Sequence, residues 1–106
     1  MSNAGKFVYE KRPNEIVPLA VDFVNVVPNT ETADSKSSSI KAYDSSGVEV
    51  SSTLIDGTTL SAYKLTAKVK AGTDGQSYKI VYKLATSTSG YIWEEIVLLM
   101  VSDAVS

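Results

Sequence analysis

The sequence predicts an all-β fold, and three of its features indicate this class. Apolar and polar residues alternate along several short segments, which is the period of a strand with one buried face. Clusters of Gly, Asp and Ser separate these segments and favour turns. The chain has 106 residues, enough for one hydrophobic core and one domain. We assign that domain to residues 6–103 and interpret residues 1–5 as a flexible N-terminus or a cloning scar.

The N-terminal part of the domain contains two predicted strands. Lys6–Lys11 is a short first strand that ends before Pro13, whose ring restricts the backbone to an extended or turn geometry. Ile16–Val27 alternates in the same way, and Pro18 within it has no N–H to donate, which predicts an edge strand. Pro28–Ser39 is polar, so we expect a mobile loop there with one turn of helix.

The middle of the chain predicts shorter elements. Ile40–Asp44 and Val48–Val50 flank Ser45-Ser46-Gly47, which is typical of a tight connection between paired segments. Thr53–Ile55 reads as another short strand, and Asp56-Gly57 after it predicts a turn.

The strongest alternation lies in two segments, Tyr63–Ala71 and Tyr78–Leu84. The residues Gly72-Thr73-Asp74-Gly75 between them are turn formers, because Gly tolerates positive φ and Asp bonds its own backbone. The pattern predicts a long β-hairpin in which Val69 pairs with Tyr78.

Tyr91–Val101 is the last predicted element, and its apolar residues occupy both phases of a strand. Such a segment is either a strand buried on both faces or a buried helix, and its β-branched and aromatic residues favour the strand. About seven antiparallel strands separated by turns are typical of an immunoglobulin-like (Ig-like) β-sandwich. The chain has no cysteine for the inter-sheet disulfide of antibody domains, so the likeness concerns architecture only.

Lysines recur on the polar side of the predicted hairpin. Its register places Lys68 opposite Lys79, an unfavourable like-charge pair, and does the same for Lys64 and Lys83. We interpret the polar face of the predicted hairpin as a candidate interaction face. Its residues are Lys64, Lys68, Lys70, Lys79 and Lys83. Two interpretations of these lysines remain open. They form either a solvated face that discourages edge-to-edge aggregation or a docking surface for an acidic partner. No aromatic residues interleave on that face, so we expect no nucleic-acid binding.

Composition argues against catalysis and cofactor binding. The chain has no His and no Cys, its net charge is −2, and its acidic pair Glu94-Glu95 points to opposite faces of a strand. Asp44, Asp56 and Asp74 each lie near a glycine, which turn chemistry explains without calcium. No apolar run approaches the ~20 residues that cross a bilayer. We expect a soluble, unexported protein that is not an enzyme and has no catalytic residue, metal, cofactor, membrane partner or small-molecule substrate.

Aromatic residues support one alternative function. Trp93 and several tyrosines have the chemistry of a platform for sugar rings; those tyrosines are Tyr63, Tyr78, Tyr82 and Tyr91. Three of them fall on the inward phase of the predicted hairpin, which favours core packing. A carbohydrate-binding or adhesion-type Ig-like module is therefore the alternative hypothesis.

A series of residues along the chain carries a resemblance to a known group. They are Lys11-x-Pro13-x-Glu15, Leu19, Asp22-Phe23, Glu31-Thr32, Lys70-x-Gly72, Gly75, Tyr78, Ala85-Thr86, Gly90 and Glu94-Glu95. Between Lys11 and Val101 the chain resembles small Ig-like structural proteins of tailed bacteriophages and prophages, including phage fiber–tail adaptor proteins.

The resemblance implies a virion or assembly protein without an active site. Its partners would be other phage structural proteins or further copies of itself, met in a tail, a tail-fibre adaptor or a head–tail region. It would occupy the bacterial host cytoplasm during assembly and then the virion. Docking would use strand addition at Ile16–Val27 or the lysine face.

Overall fold

The computed structural model describes residues 7–103, which form two β-sheets and one short helix. The elements are β1 (Phe7–Lys11), β2 (Val17–Asp22), β3 (Ser39–Tyr43), α1 (Ser51–Leu54), β4 (Ile55–Ser61), β5 (Lys64–Val69), β6 (Ser77–Ala85) and β7 (Ile92–Val101). The prediction of an all-β fold is confirmed. The segment predicted as a flexible N-terminus, residues 1–5, lies outside the described residues.

Two sheets enclose one hydrophobic core. The four-stranded sheet has the order β1-β7-β6-β3, and the three-stranded sheet has the order β2-β5-β4. Inward residues of both sheets form the core cluster together with Leu54 of helix α1, and the fully buried ones include Ala42, Leu54, Ala67, Val69, Ile80, Tyr82, Leu84 and Leu99. The Tyr82 hydroxyl donates across the core to the Leu19 carbonyl oxygen at 2.7 Å, and burial raises the pKa of Tyr82.

The long hairpin between Tyr63 and Leu84 was predicted wrongly. β5 pairs with β2 and β4, whereas β6 pairs with β3 and β7, so the two strands lie in different sheets. Alternation of apolar and polar residues shows which face of a strand is buried. The same alternation arises whether the next strand in the chain is a ladder partner or lies across the core in the other sheet. Residues 70–76 therefore connect the two sheets instead of closing a hairpin.

The connection between the two sheets requires a glycine at position 72. Its φ is +98°, and a Cβ at this position would lie 2.7 Å from Cγ2 of Val101. Gly75 N–H donates to the Val101 carbonyl oxygen at 2.8 Å. The turn residues thus hold the crossing against the end of β7.

A hairpin with a two-residue turn joins β4 to β5 through Ala62 and Tyr63. Ala62 has a φ of +53°, a conformation for which the sequence offers none of the usual Gly or Asn. Most of the predicted strand Thr53–Ile55 belongs to helix α1. Gly57, predicted in a turn, instead lies where the register of β4 shifts between Ile55 and Thr58, a β-bulge.

Edge positions are partly as predicted. β2 is an outer strand of its sheet, which confirms the prediction made from Pro18. The expectation of antiparallel pairing throughout is wrong for β1, which runs parallel to β7 from Phe7 beside Val97 to Lys11 beside Val101. Parallel pairing is possible here because the first and last strands are joined by the whole domain and not by a short turn.

Lys11 fixes the end of β1. It is buried, and its ammonium donates to the carbonyl oxygens of Arg12 at 2.7 Å, Pro13 at 3.2 Å and Ala71. Burial lowers the pKa of Lys11, and the carboxylate of Glu15 partly offsets that effect. The side chain ties the β1–β2 turn to the crossing between the sheets.

The segment between β2 and β3 is anchored by the buried side chain of Glu31. Its carboxylate accepts hydrogen bonds from Ser89 N–H at 3.1 Å and Ser89 Oγ at 2.9 Å. Burial raises the pKa of Glu31, but hydrogen bonds from Ser89 and Thr86 outweigh this, so the pKa lies below its ordinary value. The predicted mobile loop is bonded at this point to the β6–β7 connection.

Candidate interaction surface

The five lysines of the predicted interaction face do not share a face. Lys64 and Lys68 project from β5 on the outer side of the three-stranded sheet, and Lys79 and Lys83 project from β6 on the outer side of the four-stranded sheet. Lys70 follows β5 and is half-buried. The predicted single lysine face does not exist, because β5 and β6 are not ladder partners.

Different neighbours therefore surround these lysines. Lys68 lies opposite Pro18, and its ammonium is 3.9 Å from a carboxylate oxygen of Asp56. Lys83 lies opposite Glu94, with 3.9 Å between their charged atoms. Both pairs are exposed, so each contributes little to stability.

The outer side of β7 is unexpectedly apolar. The two-phase pattern of this segment predicts burial on both faces, and the structure confirms a strand but covers only one of them. Val97 and Leu99 face the core, whereas Ile96, Leu98 and Met100 point outward and are 41–42% exposed.

Neighbouring strands extend this apolar row. Val8 on β1 lies beside Leu98 and is 58% exposed, and Val81 on β6 lies beside Ile96. We call this surface the apolar face and define it by Val8, Val81, Ile96, Leu98 and Met100. Exposed apolar patches on a sheet surface mark contact sites more often than isolated exposed residues do.

Charged side chains border the apolar face in a sorted arrangement. Acidic groups occur on the strands of one half, with Glu10 on β1 and Glu94 on β7. Basic groups occur on the strands of the other half, with Lys79 and Lys83 on β6 and Lys41 on β3. The boundary between the two signs runs between β7 and β6.

A shallow groove of about 610 Å³ crosses this surface. Its floor includes Val81, Ile96 and Leu98, and the turn at Ser45–Gly47 forms one wall. Asp44 Oδ1 holds that turn by accepting hydrogen bonds from Ser46 N–H at 2.9 Å and Val48 N–H at 3.0 Å. Because this turn forms a wall, the outer side of the four-stranded sheet is concave near β3.

The aromatic residues of the sugar-platform hypothesis are dispersed. Tyr78 and Tyr82 are buried, and Tyr63 donates to the Glu31 carbonyl oxygen at 2.6 Å. Trp93 packs against the core and meets the exposed Tyr91 edge-on, with ring centroids 5.7 Å apart and planes at 73°. These two rings do not form a common flat surface.

The acidic side chains that could carry chemistry are also far apart in the fold. Glu94 points outward and Glu95 lies on the inward phase of β7, as the sequence predicts. Asp74 Oδ1 accepts a hydrogen bond from Asp103 N–H at 2.9 Å, which is a structural role. Within residues 7–103, no three Asp or Glu side chains are grouped so that they could hold a metal ion. In the same range, no helix is long and apolar enough to cross a membrane.

Comparisons of the chain with protein-family models, with curated proteins and with solved structures give no match.

Proposed function

We propose that this protein is a non-enzymatic virion or assembly component of a tailed phage or prophage. It acts by protein–protein contact in a tail, a tail-fibre adaptor or a head–tail region. The observation that carries the contact function is the apolar face, where an ordered sheet presents aliphatic side chains to solvent. The sequence resemblance supplies the phage context.

The proposal includes an Ig-like topology, which the strand order supports. Constant-type Ig domains place their first, second, fifth and fourth strands in one sheet and their third, sixth and seventh in the other. Here β2-β5-β4 form one sheet and β7-β6-β3 lie side by side in the other. β1 departs from the constant-type arrangement, because it pairs with β7 of the second sheet and does not lie beside β2.

Tyr78 also supports the Ig-like proposal. It stands near the start of β6, and its hydroxyl accepts a hydrogen bond from Thr73 N–H at 3.0 Å. A tyrosine near the start of the sixth strand that bonds to backbone a few residues upstream is the tyrosine corner of Ig-like domains.

The apolar face is a better candidate for docking than the two surfaces expected from the sequence. The lysines are divided between opposite sides of the sandwich, so they cannot present one charged surface. The β2 edge remains open to strand addition, but Pro18 removes one of its backbone donors. Burial of aliphatic side chains at the apolar face would contribute about 25 cal/mol per Å².

Particle incorporation tests the proposed function. Ile96→Lys places a charge at the centre of the apolar face, and Thr66→Lys is its control on the outer side of the central strand β5. We expect Ile96→Lys to be lost from particles purified from the source phage or prophage, and Thr66→Lys to be retained, as measured by mass spectrometry. Retention of Ile96→Lys at the wild-type level contradicts the proposal.

Paired lysine replacements test the charge-docking alternative in the same assay. Lys64→Ser with Lys68→Ser alters one outer side, and Lys79→Ser with Lys83→Ser alters the other. We expect the first pair to leave incorporation unchanged and the second to reduce it, because only the second borders the apolar face. Equal loss in both pairs would favour docking by general positive charge instead.

A further inference from the structure

We infer that the apolar face binds a second copy of this chain in a two-fold symmetric dimer. This inference rests on the proposed function, since it names the first partner of the same surface. At two levels of the β6–β7 ladder, the outer side of the four-stranded sheet is self-complementary, once in apolar pattern and once in charge. An isologous contact needs such a pattern, because each half of the patch must match the other half.

The ladder between β6 and β7 defines the symmetry. Ile96 is the register partner of Val81, and Glu94 is the register partner of Lys83. A two-fold axis parallel to the strands and midway between them exchanges the two strands. Ile96 of one copy then faces Val81 of the second copy, and the reverse contact occurs at the symmetric position.

Charges match under the same rotation. Glu94 of one copy faces Lys83 of the second copy, and this pair occurs twice. Leu98 faces the aliphatic stem of Lys79, which is its register partner within one chain. Opposite charges therefore meet at both symmetric positions of this pair, whereas a sheet with one sign of charge there would repel its copy.

The size of the surface predicts a weak dimer. At ~3.4 Å per residue and ~4.8 Å between strands, the four-stranded sheet covers roughly 500 Å² in projection. Protruding side chains raise the contact area above this projection. Standard interfaces bury about 800 Å² per partner, so we expect dissociation in the micromolar range rather than a permanent complex.

Complementary charge reversal tests this pairing. Lys83→Glu makes the two facing positions of each chain acidic, and Glu94→Lys makes them basic, so each variant repels its own copy. Mixed together, they restore opposite charges at both symmetric contacts. Each change also sets like charges opposite each other on β6 and β7 of one chain, but both side chains are exposed, 40% for Lys83 and 55% for Glu94, so the cost is small and the fold is kept.

The measurement is sedimentation and native mass spectrometry from about 1 µM to about 1 mM. We expect the wild type to shift from 11.3 kDa toward twice that mass. Each variant alone should associate about tenfold more weakly, and the mixture should form the heterodimer with affinity near the wild type. A wild type that stays monomeric throughout, or a mixture that associates no better than its components, overturns the inference.

Ile96→Lys separates this inference from the proposed function. We expect it to abolish the dimer, while Thr66→Lys dimerises normally. A monomeric wild type whose Ile96→Lys variant is still lost from particles overturns the dimer and supports a different protein on the apolar face. A dimeric wild type whose Ile96→Lys variant is monomeric but retained in particles supports the dimer and overturns the proposed function.

Discussion

The outer sides of the two sheets differ, although both enclose the same core. On the three-stranded sheet, β5 presents Lys64, Thr66 and Lys68 to solvent, as expected for a sheet with one wet side. On the four-stranded sheet, β7 presents Ile96, Leu98 and Met100. Folding of the isolated domain requires the inward residues of both strands, but it does not require aliphatic residues outside. This difference supports the proposal that the outer residues of β7 serve contact with another molecule.

Adjacent leucines on β7 test this distinction most strongly. Leu99 is fully buried, whereas Leu98 is 41% exposed on the apolar face. We expect Leu99→Ala to lower the free energy of unfolding by about 2–5 kcal/mol, because it leaves a cavity. Leu98→Ala should lower it by less than about 1 kcal/mol at concentrations where the chain is monomeric. Urea unfolding measures both, and equal losses would contradict the assignment of Leu98 to a contact surface.

Lys11→Met tests whether the apolar face depends on β1. The substitution removes the ammonium that donates to three carbonyl oxygens at the end of this strand. We expect a loss of about 1–3 kcal/mol in the free energy of unfolding and weaker dimerisation, because β1 carries Val8 and Glu10. Lys41→Met, an exposed lysine on β3, is the control and should leave stability nearly unchanged. Unaltered stability of Lys11→Met would show that β1 is held by its ladder alone.

Glu31→Gln has the smallest expected effect at neutral pH and tests the connection that positions the start of β7. The pKa of Glu31 is lower in the folded chain than its ordinary value, so the unfolded chain binds more protons between the two values. The stability that its charge contributes is present above the ordinary glutamate pKa of about 4.3 and is lost as pH falls through the lowered value. The midpoint temperature of thermal unfolding of the wild type should therefore fall on acidification through this range, and Glu31→Gln should flatten the profile. Ser89→Ala, which removes the Ser89 Oγ donor, should flatten it in part; parallel profiles for all three proteins would contradict this role.

Residues that carry the phage resemblance mostly hold the fold together. Lys11 and Glu31 bind backbone or side-chain groups of distant loops, and Gly72 permits close contact with Val101. Tyr78 accepts a hydrogen bond from the connection before it. A resemblance based on such residues speaks for architecture, whereas the apolar face contributes none of them.

The sequence predicted the inward residues better than it predicted their partners. Tyr78, Tyr82, Val97 and Leu99 are buried where alternation places them. β4 was missed because Asp56-Gly57, which forms its bulge, predicts a turn, and because the turn that does follow β4 has Ala62 in place of Gly or Asn. Only part of the candidate site could be predicted from the sequence. The two-phase pattern of Tyr91–Val101 indicated a second apolar side of this strand, but it could not show that this side is uncovered.

Taken by itself, the sequence determined the all-β class, the edge position of β2 and the residues of the core, because these depend on local periodicity and on the chemistry of Pro and Gly. Tertiary structure decided that β5 and β6 belong to different sheets, that β1 runs parallel to β7, and that the lysines are divided. Strand pairing joins residues distant in the chain, and its choice depends on how two layers enclose a common core. The apolar face exists only after that choice, since β1, β6 and β7 must lie side by side before their outer residues form one surface.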